Sequence, residues 1–430
     1  LGNDNGIGER CPATRSRTER NEMSEIHPIP GGIFSRSDIA SSKSVILALV
    51  ALVIFMDMLV YSIIIPVLPL YVPLIGVDES LLGIIFGVYA AMLFLFSIPM
   101  GLLSDRVGRL PLLVSGMLLL AAATFIFSIS TTVPHLVLAR AVQGISAAAT
   151  WSAGFALLAD ISHPAELGRR MGNTLAVMGF GTILGPVAGG FLYENLGYSV
   201  TFLIPSILAG AIGLLILVIP FRAPRPVPVE RISILPARGF LPFLLYAAVT
   251  VAVSGTYGIL EPYLPVYLVD TFAASPTVVG VVLGTLALTS TLFQPIAGRI
   301  YDRYGGRLLI GGGLLLSGLV IIAAMQVSSI ASISVIISLL GITLAFALVP
   351  MLPLMAGLYR SQGSQGMAYG VFNTFFSVGL AIGPFAGALL VTTFSLPAIF
   401  TGHALLIIAV GLASYLGMAV ATGKELSQKG

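Results

Sequence analysis

Charge is scarce in this chain. Only 9% of its 430 residues are Asp, Glu, Lys or Arg, against 57% that are hydrophobic. No single soluble core could enclose that apolar excess, so the composition points to a polytopic membrane protein. The one cysteine, Cys11, lies in a polar leader, which excludes an intramolecular disulfide and leaves the redox compartment unread. Of the four histidines, His135 and His163 lie near loops and His403 stands alone in an apolar stretch, giving no cluster at metal-ligand spacing. No GxxxxGK(S/T) loop, HExxH or GxSxG is present, so neither a nucleotide, a metal or other cofactor, nor an enzyme is expected. No N-x-(S/T) glycosylation site occurs either. The net charge of +3 is no argument for nucleic acid, because the apolar segments are almost uncharged and the bases report topology instead.

Residues 1–43 are polar and lack the compact apolar region of a cleaved signal; they read as a disordered cytoplasmic tail. Met23 opens MSEIHPIPGG, and the expectation is that residues 1–22 lie upstream of, or are foreign to, the natural chain. Twelve apolar stretches follow, at about 44–72, 81–103, 110–130, 133–157, 170–193, 198–220, 240–268, 276–299, 307–327, 330–358, 367–393 and 396–420. Each is near or above the ~20 residues that a helix needs to span the hydrocarbon. Arg140 is the one base well inside a stretch. The others fall in the tails or on one set of loops, with Arg106 and Arg109, Arg169 and Arg170, Arg222, Arg225, Arg231 and Arg238, Arg299, Arg303 and Arg307, and Arg360. The alternate loops carry Asp78, Glu79, Glu194 and Asp270 and no base, so both termini are expected in the cytoplasm.

The basic, Pro-rich segment 221–239 divides the chain into a bundle at 44–220 and a bundle at 240–420, with a C-terminal tail at 421–430. The halves repeat at an offset of about 197: Gly83 and Gly87 match Gly280 and Gly284, GLLSDRVGR from Gly101 matches GRIYDRYGG from Gly298, Gly144 matches Gly341, and Gly181, Gly185-Pro186 and Gly189 match Gly379, Gly383-Pro384 and Gly387. Pro66, Pro69 and Tyr71 return as Pro262, Pro265 and Tyr267. The expected fold is all-α, with twelve transmembrane helices in two pseudo-symmetric six-helix bundles and a cavity between them at mid-membrane.

Five groups of residues carry the functional reading. Asp57 and Glu261 are the only acids far inside the predicted spans, where a carboxylate is usually kept for a reason and faces water or protein. Arg140 and Gln143 share one face of the fourth helix, and the guanidinium needs a carboxylate, backbone carbonyls or water; a static structural pair is the bland alternative. Gly101, Asp105, Arg106, Gly108 and Arg109, with Asp302, Arg303 and Arg307 in the second half, read as a turn between helices and as a conformational latch. Gly181, Gly185, Pro186, Gly189 and Gly190 align into a groove for a neighbouring helix. Tyr61 and Tyr257 lie one turn from the two acids and suit a cation through their ring faces; Asn373, Ser377 and Gln294 could line the same cavity or bond between helices. His403 and Trp151 read as packing or interface residues.

These phrases resemble the major facilitator superfamily over roughly residues 44–420. The turn at Gly101–Arg109 looks like its loop signature, RAVQG at Arg140–Gly144 like its proton-coupling motif, and GTILGPVAGG at Gly181–Gly190 like its antiporter motif. Within the twelve-helix drug:proton antiporter branch, the surroundings of Asp57 and Glu261 resemble the vesicular amine transporters. This chain has Leu348 and Asn373 where those relatives carry acids, and no base in the second helix where they carry a lysine. The resemblance implies proton-coupled export of small amphipathic compounds, such as cationic amines, drugs or secondary metabolites, with protons and the bilayer as the other partners. A multi-pass monomer in the plasma membrane or an acidic organelle membrane is the corresponding expectation. A carboxyl shielded from water favours its neutral form and a nearby cation its charged form, so such a group can exchange a proton for a cation. A uniporter or nutrient importer without proton coupling is the alternative; a membrane receptor or enzyme fits the two matched sixes less well.

Overall fold

The computed structural model describes residues 36–76, 78, 80–162, 164–218, 240–359 and 365–427. The leader up to residue 35, the 221–239 segment with its four arginines, Arg360 and the last three residues lie outside the described residues. Two units are distinguished, Leu1–Val45 and Ile46–Gly430, and every functional side chain belongs to the second.

Among the described residues there is no strand, and eleven helices are long and apolar enough to cross a membrane. One of them, Pro164–Val218, is two spans joined at Gly197, whose φ of 76° and ψ of 174° interrupt the helix. A residue without a Cβ takes that left-handed φ at little cost. Counting its limbs as α5 (164–196) and α6 (198–218) gives twelve. The others are α1 (Arg36–Tyr71), α2 (Ser80–Val107), α3 (Arg109–Ile129), α4 (Val133–Ile161), α7 (Phe240–Phe272), α8 (Pro276–Tyr304), α9 (Gly306–Ala324), α10 (Ile330–Leu348), α11 (Gln365–Leu390) and α12 (Leu396–Ser427). The fold is therefore the expected all-α arrangement of twelve spans. The tenth differs in detail: it stops at Leu348 and resumes as Met351–Tyr359, because Pro350 has no N–H to donate and its ring crowds the preceding turn. Leu214, Leu316, Leu405 and Leu416 are exposed on the outside, where lipid tails are as apolar as leucine.

The sequence repeat becomes a repeat of contacts. Gly181, Gly185 and Gly189 of α5 lie against the backbone of α1 at Phe55, Leu59 and Ile63. Their counterparts Gly379, Gly383 and Gly387 of α11 lie against α7 at Val251, Gly255 and Tyr263. Between the halves, Gly83 of α2 meets the carbonyl of Pro384 in α11, and Gly280 of α8 meets the carbonyl of Pro186 in α5. A side chain at these positions would collide with backbone, or at Gly387 with the Tyr263 ring, so the glycines set how closely the rods approach.

These inter-half contacts sit toward one end. There Gly190 abuts Pro276, and the Glu194 carboxylate accepts hydrogen bonds from the Thr277 N–H and the Ser275 hydroxyl, both at 2.9 Å. Along α5 and α8 the approach continues as far as Gly179 and Thr291. Beyond that pair, toward the end that carries Arg170 and Arg303, Leu175 and Gln294 face a cavity instead of each other.

Candidate functional site

A cavity of about 1090 Å³ lies between the halves, and helices of both contribute to its wall. Seven of the functional candidates singled out from sequence line it: Tyr61, Pro186, Tyr257, Glu261, Gln294, Asn373 and Ser377. Most of the remaining wall is apolar, including Leu93, Leu286, Phe376 and Leu380. It closes where the glycine contacts seal the halves and runs toward the basic end past Ile98, Phe243 and Gly370. Such a space suits an amphipathic molecule with a few polar anchors.

Glu261 is the anchor shared by both halves. Tyr61 of α1 donates its hydroxyl proton to Glu261 Oε2 at 2.5 Å, and the Tyr61 ring packs on Tyr89 of α2 with centroids 4.7 Å apart. Tyr257, one turn before Glu261, places its hydroxyl 3.2 Å from Ser290 Oγ of α8. The two tyrosines expected beside the acids thus both reach the cavity, yet Tyr61 serves the acid of the opposite half and not its own neighbour Asp57.

Asp57 is 2% exposed and does not line the cavity. Its Oδ2 accepts the indole N–H of Trp151 at 2.8 Å, while Oδ1 has no hydrogen-bond partner among the described residues. Trp151 thus contacts Asp57 and lines the cavity, beside the packing or interface role that the sequence suggested. A single tryptophan in an apolar helix carries no periodic signal that could have revealed this.

Arg140 is fully buried. Its Nη1 donates to Gln143 Oε1 at 3.0 Å, as their spacing on one helical face allows, but it forms no ion pair with either acid. Instead the guanidinium lies 4.4 Å from the ring centroid of Phe86 and 5.6 Å from those of Tyr61 and Tyr89. Among the described residues its Nε and Nη2, with Gln143 Nε2, have no hydrogen-bond partner. The ring faces replace the expected carboxylate as the local source of negative potential. Phe86 and Tyr89 were not picked out from sequence, because an aromatic in an apolar span looks like ordinary core.

The two copies of the loop motif differ in kind. Gly108 and Gly305 hold the same turn, with φ of 98° and 78°. In the first copy Arg109 donates to Asp160 Oδ2 at 2.9 Å, Ser104 Oγ at 2.9 Å and Asp105 Oδ1 at 2.5 Å, tying α2, α3 and α4 into one knot. In the second copy the residue at the repeat offset is Gly306, and Arg307, one position later, donates to the Tyr415 carbonyl at 3.0 Å and lies over its ring. Each copy thus ties together helices of its own half. His403 is packed, its Nε2 2.9 Å from Thr256 Oγ1.

The sequence profile of the Major Facilitator Superfamily matches residues 50–246 and 246–429. The MFS-type transporter ppzB of Metarhizium rileyi is 29% identical over 205 residues, which are 44% of this chain and 42% of that protein. The synaptic vesicular amine transporter of Homo sapiens is 27% identical over 319 residues, 70% of this chain and 59% of its own. The chain thus spans less than two thirds of the length of either relative. A bacterial homologue of the human lysosomal transporter Spinster, solved in an inward-facing and occupied conformation, shares the fold with a TM-score of 0.73 at 14% identity, covering 88% of this chain and 95% of that one. With the profile matched across both halves of a twelve-span chain, this protein belongs to the Major Facilitator Superfamily.

Proposed function

We propose that the protein exchanges protons for small amphipathic organic cations, with amines, drugs or secondary metabolites as the candidate classes, by alternating access of the central cavity. One observation carries the reading: the carboxyl that a cation in the cavity would seek, Glu261, is the same group that Tyr61 bonds from the other half. A cation or a proton arriving at Glu261 competes with that bond, so occupancy and the meeting of the halves become one event. Asp57 is the second exchange group, and Arg140 with Gln143, beneath Tyr61, responds as the tyrosine moves. The likeness to a vesicular amine transporter supports the substrate class. The glycine-sealed end and the cavity toward the basic loops support a cytoplasm-facing state, with both termini on that side by the distribution of bases. We take 44–220 and 240–420 as the two rocking bundles, acting in one monomer in the plasma membrane or an acidic organelle membrane.

The driving energy suffices: one proton moved down one pH unit releases about 1.4 kcal/mol, near a tenfold substrate gradient. In proteoliposomes, uptake of a labelled amine driven by an imposed pH difference is expected to vanish in Asp57→Asn and in Glu261→Gln while both proteins stay folded. Full coupled uptake in both variants would end the assignment. The largely apolar wall gives a second reading, facilitated passage of neutral amphipaths, for which uptake would ignore the pH difference.

A further inference from the structure

The carboxyl of Asp57 is withheld from the cavity, and the side chain between them is known: Trp151 lines the cavity and donates its N–H to Asp57 Oδ2, while Asp57 itself is buried. An indole N–H can donate but not accept, so Trp151 cannot pass a proton or a cation onward. It can only occupy the oxygen or leave it. The ring is half-buried and sits on the cavity wall with Ala148 and Ser152 of the same helix. One ligand class replaces everything this residue supplies: a protonated arylalkylamine, whose N–H can take the indole's place on the carboxylate while its ring stacks on the displaced indole.

We propose that Trp151 is the specificity-determining gate over Asp57, excluding cations that cannot offer an N–H donor in exchange for its own. The inference rests on the reading above, in which Asp57 is a cation site, and adds what decides access to it.

The test is equilibrium binding of labelled 2-phenylethylamine and of its N,N,N-trimethyl analogue to the full chain in lipid nanodiscs. Trp151→Phe keeps a ring and removes the competing N–H. Phenylethylamine should then bind about tenfold more tightly, the factor equivalent to ~1.4 kcal/mol for one hydrogen bond. The quaternary analogue, which the native N–H excludes because it offers none in exchange, should gain at least as much. Trp151→Leu, which loses the stacking face along with the N–H, should bind both less tightly than Trp151→Phe. Trp151 is the sole tryptophan of the chain, so its emission reports the exchange directly. On native protein it should shift with phenylethylamine and not with the quaternary analogue. Binding of phenylethylamine that is unchanged or weaker in Trp151→Phe, but lost in Asp57→Asn, would overturn the gate and leave the cation site standing. Native-like binding in Asp57→Asn would overturn the site and the gate together. Absence of binding to both native protein and Trp151→Phe would also overturn the gate.

Discussion

The Tyr61 hydroxyl and the Glu261 carboxylate, 200 positions apart in sequence, meet at 2.5 Å across the boundary between the two halves. Among the described residues neither has another side-chain hydrogen bond, so each orients the other. Tyr61→Phe preserves the ring that packs on Tyr89 and removes the one bond. Hydrogen bonds to a charged group contribute roughly 1.5–3 kcal/mol, and Glu261 is partly open to the cavity, so the lower figure applies. Initial rates of pH-driven uptake should fall about tenfold, with little change in thermal stability. Undiminished uptake in Tyr61→Phe would show that the contact is incidental to exchange.

The glycines that seal one end make a second prediction. A Cβ at Gly83 would run into the Pro384 carbonyl, and one at Gly280 into that of Pro186. Overpacking of this kind costs roughly 1–3 kcal/mol, and the protein can relieve it by parting the halves at that end. In a Cys11→Ser background with Ser377→Cys on the cavity wall, an impermeant thiol reagent applied from the side opposite the basic loops should label several-fold faster when Gly83→Ala or Gly280→Ala is added. Gly101→Ala is the matched control, since a Cβ there meets nothing within 4 Å. Equal labelling in folded Gly83→Ala, Gly280→Ala and Gly101→Ala would refute the sealing role.

How much of this was legible beforehand depended on whether a residue's neighbours were fixed by its own helix. Arg140 and Gln143 met because a spacing of three puts them on one face. The aligned glycines of α5 announced a groove, and the repeat announced a second one in α11. Which helix fills each groove is a long-range fact, and only the fold supplied α1 and α7. Asp57 stood out as an acid in an apolar run, but Trp151, 94 positions away, did not. The paired loop motifs looked equivalent, yet a single-residue displacement of the second arginine sends Arg307 to α12 and leaves the Arg109 knot without a twin.

That asymmetry is itself testable. Arg109 is buried among Asp160, Asp105 and Ser104, and removing it leaves the buried Ser104 and the partly shielded Asp160 without their donor. Arg109→Ala should lower the unfolding midpoint in detergent by several degrees, as a loss of about 1–3 kcal/mol would. Arg303→Ala, whose cation lies over the exposed Tyr304, should lower it by a degree or less. Equal effects would mean that the knot is no stronger than a surface contact.

A pH prediction follows from the opposite loop. Asp78 Oδ1 accepts the Ser80 N–H at 2.7 Å, and hydrogen bonding from Ser80 holds this carboxyl below its ordinary value of 3.8. A carboxyl depressed in the folded state stabilises above its ordinary pKa, and the contribution is lost only as pH falls through the lowered value. The start of α2 should therefore stay capped throughout ~pH 5–8, and Asp78→Asn should leave the pH profile of uptake unchanged across that range. A displaced profile in Asp78→Asn would move the pH response from the cavity to this loop.

Arg140 offers the sharpest separation of charge from shape. Its guanidinium lies 4.4 Å from the Phe86 ring centroid with two tyrosines further out, and two of its nitrogens have no hydrogen-bond partner among the described residues. An ammonium carries the same charge but is more strongly hydrated and cannot lie flat on a ring. Contacts of a desolvated cation with aromatic faces contribute roughly 0.5–2 kcal/mol each, so the loss over three rings is enough to change the balance between the two cavity states. Arg140→Lys is therefore expected to behave like Arg140→Gln, with pH-driven uptake below about a tenth of native in both, and Phe86→Leu should fall between them and the native protein. Activity in Arg140→Lys close to native, with Arg140→Gln inactive, would mean that a positive charge at this depth is sufficient and that the aromatic enclosure only fills space.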